Sequence, residues 1–289
     1  MAMAASSISS PPASFYTYQL GPSALYVPLT SRCNSRTLPE LRGNNFLLPS
    51  AVVAALCRVR DASDAERKQW AGWCAYLDTQ ETLQKLPPPL EPIGSLTKGN
   101  EEQKPTIDEL FQEIQSHLKH SKRSDDSKLK SIVFSGEGEP TLRFHEMLIL
   151  AKRIKEEEEK SSDMAIRLTT NGLATAAAVS CDNSASLSTT TTQLLQQCLD
   201  HGISHMSVGF HTGDAGQFNE LVRPVLPSPS STASAHERVC EWVHQAALLE
   251  GMEVEVTAVA RPDVDVVQTE ELSQSLGVET PVRWRPYFP

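Results

Sequence analysis

Strand-like and helical segments alternate along this chain, and no other feature narrows its possible folds as far. Six segments read as strands: Ala24–Thr30, Ser131–Ser135, Ala165–Thr170, His205–Phe210, Met252–Val259 and Val282–Tyr287. Each after the first follows a helical or linker stretch. Asp108–His120 carries Leu110, Ile114 and Leu118 at four-residue steps, and His145–Glu156 carries Leu148, Ala151 and Ile154 at three-residue steps, so both predict amphipathic helices. Thr189–Leu199, Glu237–Leu249 and Gln268–Leu276 supply three more, the second stopping at Glu250-Gly251, where glycine takes a left-handed cap. Strands alternating with helices predict parallel βα units and an α/β fold.

The first connection does not fit a minimal unit. About 100 residues separate the first strand from the second. They hold two expected helices, Pro49–Arg60 and Ala65–Leu77, then Leu86-Pro87-Pro88-Pro89-Leu90 and a charged stretch to Lys104. Residues 49–104 therefore read as a helical and linker insertion, a lid or partly ordered loop, within one domain spanning 16–289. Residues 1–15 read as a frayed end. The Ser- and Ala-rich, acid-free start also resembles an organellar transit peptide, but no Arg precedes Arg32. The Ser/Thr/Ala-rich stretches Ala174–Thr192 and Pro227–Ala235 read as surface insertions, and Glu156–Glu159 as a solvated helix face.

Charge and cysteine usage exclude several classes. With 26 Lys and Arg against 36 Asp and Glu the net charge is −10, unsuited to neutralising phosphates along a nucleic acid. No run approaches the roughly 18 apolar residues needed to span a bilayer. The expectation is a soluble, intracellular protein, cytoplasmic or organellar. Its six cysteines are too widely spaced for a zinc motif or redox pair, which fits reduced structural thiols.

Three strand exits carry small polar residues and glycines. Ile132-Val133-Phe134 runs into Ser135-Gly136-Glu137-Gly138-Glu139-Pro140-Thr141, where Gly136 and Gly138 admit a ligand to the backbone and Pro140 fixes the turn. Such a turn can hold a small zwitterion with Glu137 or Glu139 facing its ammonium; equally, it can be a plain βα turn with solvated glutamates. Thr169-Thr170-Asn171-Gly172 ends the third strand, with Thr170 and Asn171 able to hydrogen-bond a ribose or carboxylate, or with Asn171-Gly172 serving only as a turn. The fourth exit, Ser207-Val208-Gly209-Phe210-His211-Thr212-Gly213, brings His211 to the same end. Ligands gather at the carboxyl ends of strands in parallel α/β folds, so a shared mouth for a small molecule is expected there. His201, His205 and His211 do not form a plausible zinc site, since the first two and the last fall at opposite strand ends, roughly 20 Å apart by strand rise.

These exits resemble the radical S-adenosylmethionine superfamily, and within it the subgroup associated with TatD nucleases. The likeness runs from about Tyr16 to the C-terminus. It includes Leu25-Tyr26-Val27-Pro28-Leu29-Thr30-Ser31-Arg32-Cys33-Asn34, the Gly-Glu-Gly-Glu-Pro-Thr-Leu turn, Thr169-Thr170-Asn171-Gly172, and the ending Val282-Arg283-Trp284-Arg285-Pro286-Tyr287-Phe288-Pro289. The resemblance implies a partial (β/α)6 TIM-like barrel of the radical SAM type, with S-adenosylmethionine at its carboxyl rim. Gly138-Glu139-Pro140, with Gly136 beside it, would receive the methionine amino group, while Thr170, Asn171, Gly172 and His211 would lie near sugar and carboxylate. Members of that superfamily hold a [4Fe–4S] cluster through C-x3-C-x2-C. From Cys33 those positions fall on Thr37 and Glu40, which supply no thiolate. Cys33 is left as the one matching metal ligand, and Cys57 and Cys74 would have to fold back to join it.

The reading is a radical SAM-like protein without the usual cluster motif that binds S-adenosylmethionine or another small ligand without radical chemistry. Two alternatives stand beside it: an active radical enzyme with an unusual cysteine set, and a non-enzymatic scaffold whose insertion and Pro87–Pro89 engage a partner.

Overall fold

The computed structural model describes residues 17–19, 23–30, 33–36, 38–43, 45–46, 106–121, 129–136, 138–158, 164–174, 190–225 and 233–289. The N-terminal end, the 49–104 insertion with its proline-rich segment, most of both low-complexity stretches, Glu137, Thr37, Cys57, Cys74 and Cys181 lie outside them.

The elements follow in the order β1 Tyr18–Gln19, β2 Ala24–Val27, α1 Leu38–Leu41, α2 Ile107–Ser121, β3 Ser131–Phe134, a 3-10 turn Pro140–Arg143, α3 Phe144–Glu158, β4 Ala165–Thr170, α4 Thr191–Asp200, β5 Ile203–Gly209, α5 Ala215–Val222, α6 Ala235–Leu248, β6 Glu253–Ala260, α7 Val266–Ser275 and β7 Arg283–Pro286. The sheet runs β1 to β7 in chain order. β1 pairs antiparallel with β2, and β2 to β7 are parallel neighbours throughout. Six parallel strands in sequence order with helical crossovers form the expected partial (β/α)6 barrel. It stays open, with β1 and β7 as its edges among the described residues.

Strand periodicity explains how the sheet is dressed. Along β4, Ile166, Leu168 and Thr170 are buried while Ala165, Arg167 and Thr169 are half-buried. Register aligns Leu168 with Met206 of β5, and Met206 with Val254 of β6. That row faces the helices: Trp242 of α6, 1% exposed, donates its indole N–H to Met206 Sδ at 3.0 Å. α2 buries Leu110, Ile114 and Leu118, and α3 buries Met147, Leu148, Ala151 and Ile154. Each of the buried Leu, Ile and Met side chains contributes about 1.5–3 kcal/mol. α4 and α6 begin with capping boxes, Thr190 with Gln193 and Ser234 with Glu237.

Three departures from the sequence reading matter. β5 starts two residues earlier than expected, at Ile203, because Gly202 (φ +91°) turns the chain directly out of α4. It stops at Gly209, so Phe210 and His211 lie past the strand end. α5 was not anticipated, although Asp214 caps it and Phe218, Leu221 and Val222 bury one face. Finally, the C-terminal tail crosses the open side of the barrel: Phe288 N–H donates to Arg42 O at 2.7 Å and Asn45 N–H to Phe288 O at 3.3 Å. No helix among the described residues is long and apolar enough to cross a membrane.

Candidate functional site

Glu139 joins the exits of β3 and β4, and Gly136 and the Asn171 side chain join them to the end of β2 and the loop after it. A Cβ on Gly136 would lie 2.5 Å from Pro28 Cβ, so only glycine lets the β3 exit pack against the end of β2. Glu139 then caps the 3-10 turn, with Pro140 as its first residue. Glu139 is 3% exposed, so it is not the solvated glutamate of the plain-turn alternative. Its Oε1 accepts from Thr141 N (3.1 Å), Thr141 Oγ1 (2.7 Å) and Thr170 Oγ1 (2.7 Å), and its Oε2 accepts from Asn171 N at 2.8 Å. Burial pushes the carboxyl pKa up, against the hydrogen bonds from Thr141, Asn171 and Thr170.

Asn171 extends the network to the loop after β2. Its side-chain amide donates to Asn34 Oδ1 (2.6 Å) and Ser35 Oγ (2.9 Å), and approaches Cys33 Sγ at 3.9 Å. Gly172, at φ +69°, turns the chain away, and its N–H donates to Thr170 Oγ1. The same loop is held from the far side, where Arg36 N donates to Val222 O at 2.7 Å and Val225 N to Asn34 O at 2.7 Å. Arg143 anchors it underneath through Leu29 O at 2.7 Å while forking onto Glu146.

Cys33 is 7% exposed and sits 3.4 Å from Ser35 Oγ. Burial raises its thiol pKa, opposed by that hydrogen bond. An iron–sulfur cluster needs several thiolates brought together, and the described residues hold no group of three His, Cys, Asp or Glu side chains arranged around a metal. Cys198 lies in the buried face of α4 with its pKa pushed to about 12, and Cys240 lies on α6 at about 11, both by burial. The described donor set does not fit a [4Fe–4S] cluster.

The fourth exit behaves differently. His211 is 8% exposed and adopts φ +66°, a left-handed conformation costly for a residue with a Cβ. Its ring folds back over the strand end, where a Cβ on Gly209 would stand 2.9 Å from Nε2. Nδ1 is buried without a hydrogen-bond partner. Burial lowers the imidazole pKa to about 4, so the ring is neutral at pH 7. A strained backbone beneath an unsatisfied buried polar atom is the pairing found where a side chain is held for a ligand.

Below the rim, the sheet face turned away from the helices is largely polar from β4 to β7, with Val133 of β3 and Val259 of β6 as apolar members of the same rows. It presents Arg167 and Thr169 from β4, His205 and Ser207 from β5, Glu255 and Thr257 from β6, and Arg283 and Arg285 from β7, as register and alternation require. Ser207 Oγ donates to Glu255 Oε1 at 3.0 Å, Arg283 pairs with Glu255 at 3.3 Å, and His205 Nε2 lies 3.1 Å from Glu253. In a closed barrel this face is filled by branched apolar side chains. Here, among the described residues, it carries these polar and charged side chains instead.

Of the residues expected at the site, the structure brings Gly136, Glu139, Pro140, Thr170, Asn171, Gly172 and Cys33 into one connected rim, with Gly138 in the turn before Glu139. His211 stands on the β5 exit. Sequence reasoning missed the concave row. The signal was present in Glu253-Val254-Glu255-Val256-Thr257 of the interior strand β6 and in Arg283-Trp284-Arg285 of β7, where every second residue is polar.

No protein-family model matches the chain, and no curated protein matches it. Among solved structures it is similar to the radical S-adenosylmethionine methyltransferase TsrM from Kitasatospora setae, with cobalamin and a [4Fe–4S] cluster bound. That match has 10% identity and a TM-score of 0.42 over 64% of this chain and 31% of that one. It is also similar to archaeal TYW1, with 12% identity and a TM-score of 0.34 over 60% of this chain and 50% of that one. The matched region thus spans about a third and a half of those two proteins. At identities this low neither carries a residue's role over to this chain.

Proposed function

We propose that the chain is a radical S-adenosylmethionine-like barrel of the TatD-associated kind that binds S-adenosylmethionine, or a related small zwitterion, without generating a radical. The observation that carries this is the polar concave face opening onto the carboxyl rim, in a fold whose interior is otherwise apolar. In this reading the Gly136–Pro140 turn receives the ligand's amino group on its backbone. Glu139, whose four acceptor bonds are already made, holds the turn's shape. Thr170, Asn171, Gly172 and His211 flank the sugar and carboxylate, and the neutral His211 ring offers Nδ1. Cys33 then acts as a buried apolar thiol under the loop. A protein of this kind would act inside the cell, in the cytoplasm or an organelle.

Isothermal calorimetry with S-adenosylmethionine tests the proposal. Saturable heat that weakens at least tenfold in His211→Ala is expected, with no 5′-deoxyadenosine formed under reductant. Absence of heat in the wild-type chain favours the scaffold reading. Stoichiometric cluster absorbance after anaerobic reconstitution, lost in Cys33→Ser, would overturn the proposal in favour of a radical enzyme that recruits Cys57 and Cys74.

A further inference from the structure

On the concave face, one guanidinium nitrogen is buried without a hydrogen-bond partner. Trp284 of β7 turns its indole toward the helices, donating to Glu270 of α7 at 2.7 Å, so Arg283 and Arg285 point into the concavity. Glu255 is taken by Arg283 and Ser207. Arg285 Nε is buried without a hydrogen-bond partner, and the guanidinium feels Glu255 and Tyr26 only electrostatically. Arg42, held by Pro286 O at 3.1 Å and stacked 4.1 Å over Phe46, brings a further guanidinium to the same edge. Burial, then the neighbouring Arg283, lowers the Arg285 pKa against the opposing pull of Glu255 and Tyr26, and burial, then Arg285, lowers that of Arg42, so these like charges act on one another.

We infer that Arg285, flanked by Arg283 and Arg42, forms an anion subsite where β7 meets the loop after β2, and that it takes the carboxylate or phosphate group of a small ligand. A half-buried guanidinium with an unsatisfied N–H beside like charges is unfavourable unless an anion arrives to accept from it. The planar fork matches two oxygens of either group. Arg261 shows the contrasting arrangement, its fork closed on Asp263 at 2.9 Å through both Nε and Nη2. In a chain of net charge −10 the convergence of three guanidiniums does not follow from composition. The inference rests on a ligand entering the concave face and adds the charge that ligand carries.

The test uses the full chain with inorganic phosphate and, separately, malonate, so that phosphate and carboxylate recognition are told apart and S-adenosylmethionine is not needed. Phenylglyoxal modification of Arg285, read by mass spectrometry, should slow at least fivefold in one of the two anions, while Arg261 modification is unchanged. Arg285→Gln should weaken binding of the protecting anion at least tenfold by calorimetry. Equal modification with and without both anions, or affinity within twofold of wild type in Arg285→Gln, overturns the subsite. Should that variant fail to fold, protection in the wild-type chain decides alone. Loss of S-adenosylmethionine binding with anion protection intact would sink the proposed ligand and leave the subsite standing.

Discussion

The two halves of the carboxyl rim are built on opposite terms. On the β2 to β4 side, every polar atom of the Glu139 carboxylate is matched, and its donors tie three strand exits into a single unit. On the β5 to β7 side, His211 Nδ1 and Arg285 Nε are buried and unmatched. Satisfied buried networks rigidify a fold, whereas unsatisfied groups subtract from stability and persist where something else depends on them. The motif-bearing half therefore reads as the frame, and the other as the face presented to a ligand.

The largest expected effect breaks the frame. Glu139→Ala leaves four donors facing a void and should lower unfolding free energy by about 3–5 kcal/mol in urea titration; a loss below 1 kcal/mol would remove Glu139 as the stitch.

Next comes a pH signature of the unsatisfied half, opposite in sign to that of Glu139, whose raised pKa favours the folded chain as pH falls. His211 has a folded pKa near 4 against an ordinary value of 6.5. The unfolded chain therefore takes up a proton as pH falls through 6.5 while the folded chain does not until about 4. Stability should drop across that window by an amount on the order of 3 kcal/mol. In His211→Asn, which tolerates positive φ, that share should vanish, so the difference between melts at pH 7 and pH 4 should shrink.

Gly136→Ala tests the β2–β3 seam, where the added methyl meets Pro28 at 2.5 Å. A cost of about 1–3 kcal/mol is expected from overpacking, read as a lower urea midpoint at unchanged slope.

The smallest effect has the opposite character. Arg285→Gln should leave stability within about 1 kcal/mol of wild type, or raise it, because it removes a half-buried charge that has a like charge beside it and an unmatched Nε. A loss as large as that of Glu139→Ala would erase the contrast between the halves.

Much of the frame was legible before any coordinates. The periodicities of Leu110-Ile114-Leu118 and of β4 located a helix and a strand, and glycines and Pro140 marked the exits. β1 was not legible, since a two-residue strand has no period. α1 was equally short. The burial of Glu139 was hidden because two of its four donors come from Thr170 and Asn171, about 30 residues further on, and hydrogen bonding at that range leaves no local pattern. His211 was placed at the correct exit, but its strain and its empty Nδ1 depend on a backbone angle and on neighbours that residue types do not encode.

The sequence alone determined the alternation of the six parallel strands with their longer helices, because strand period two and helix period 3.6 are local consequences of where apolar side chains fall. It also determined that Thr37 and Glu40, not cysteines, stand four and seven residues after Cys33. Only the tertiary structure decided which polar groups are answered and which are left bare. That outcome turns on through-space distances of about 3 Å between residues far apart in the chain, and such distances exist only once the sheet has closed its registers.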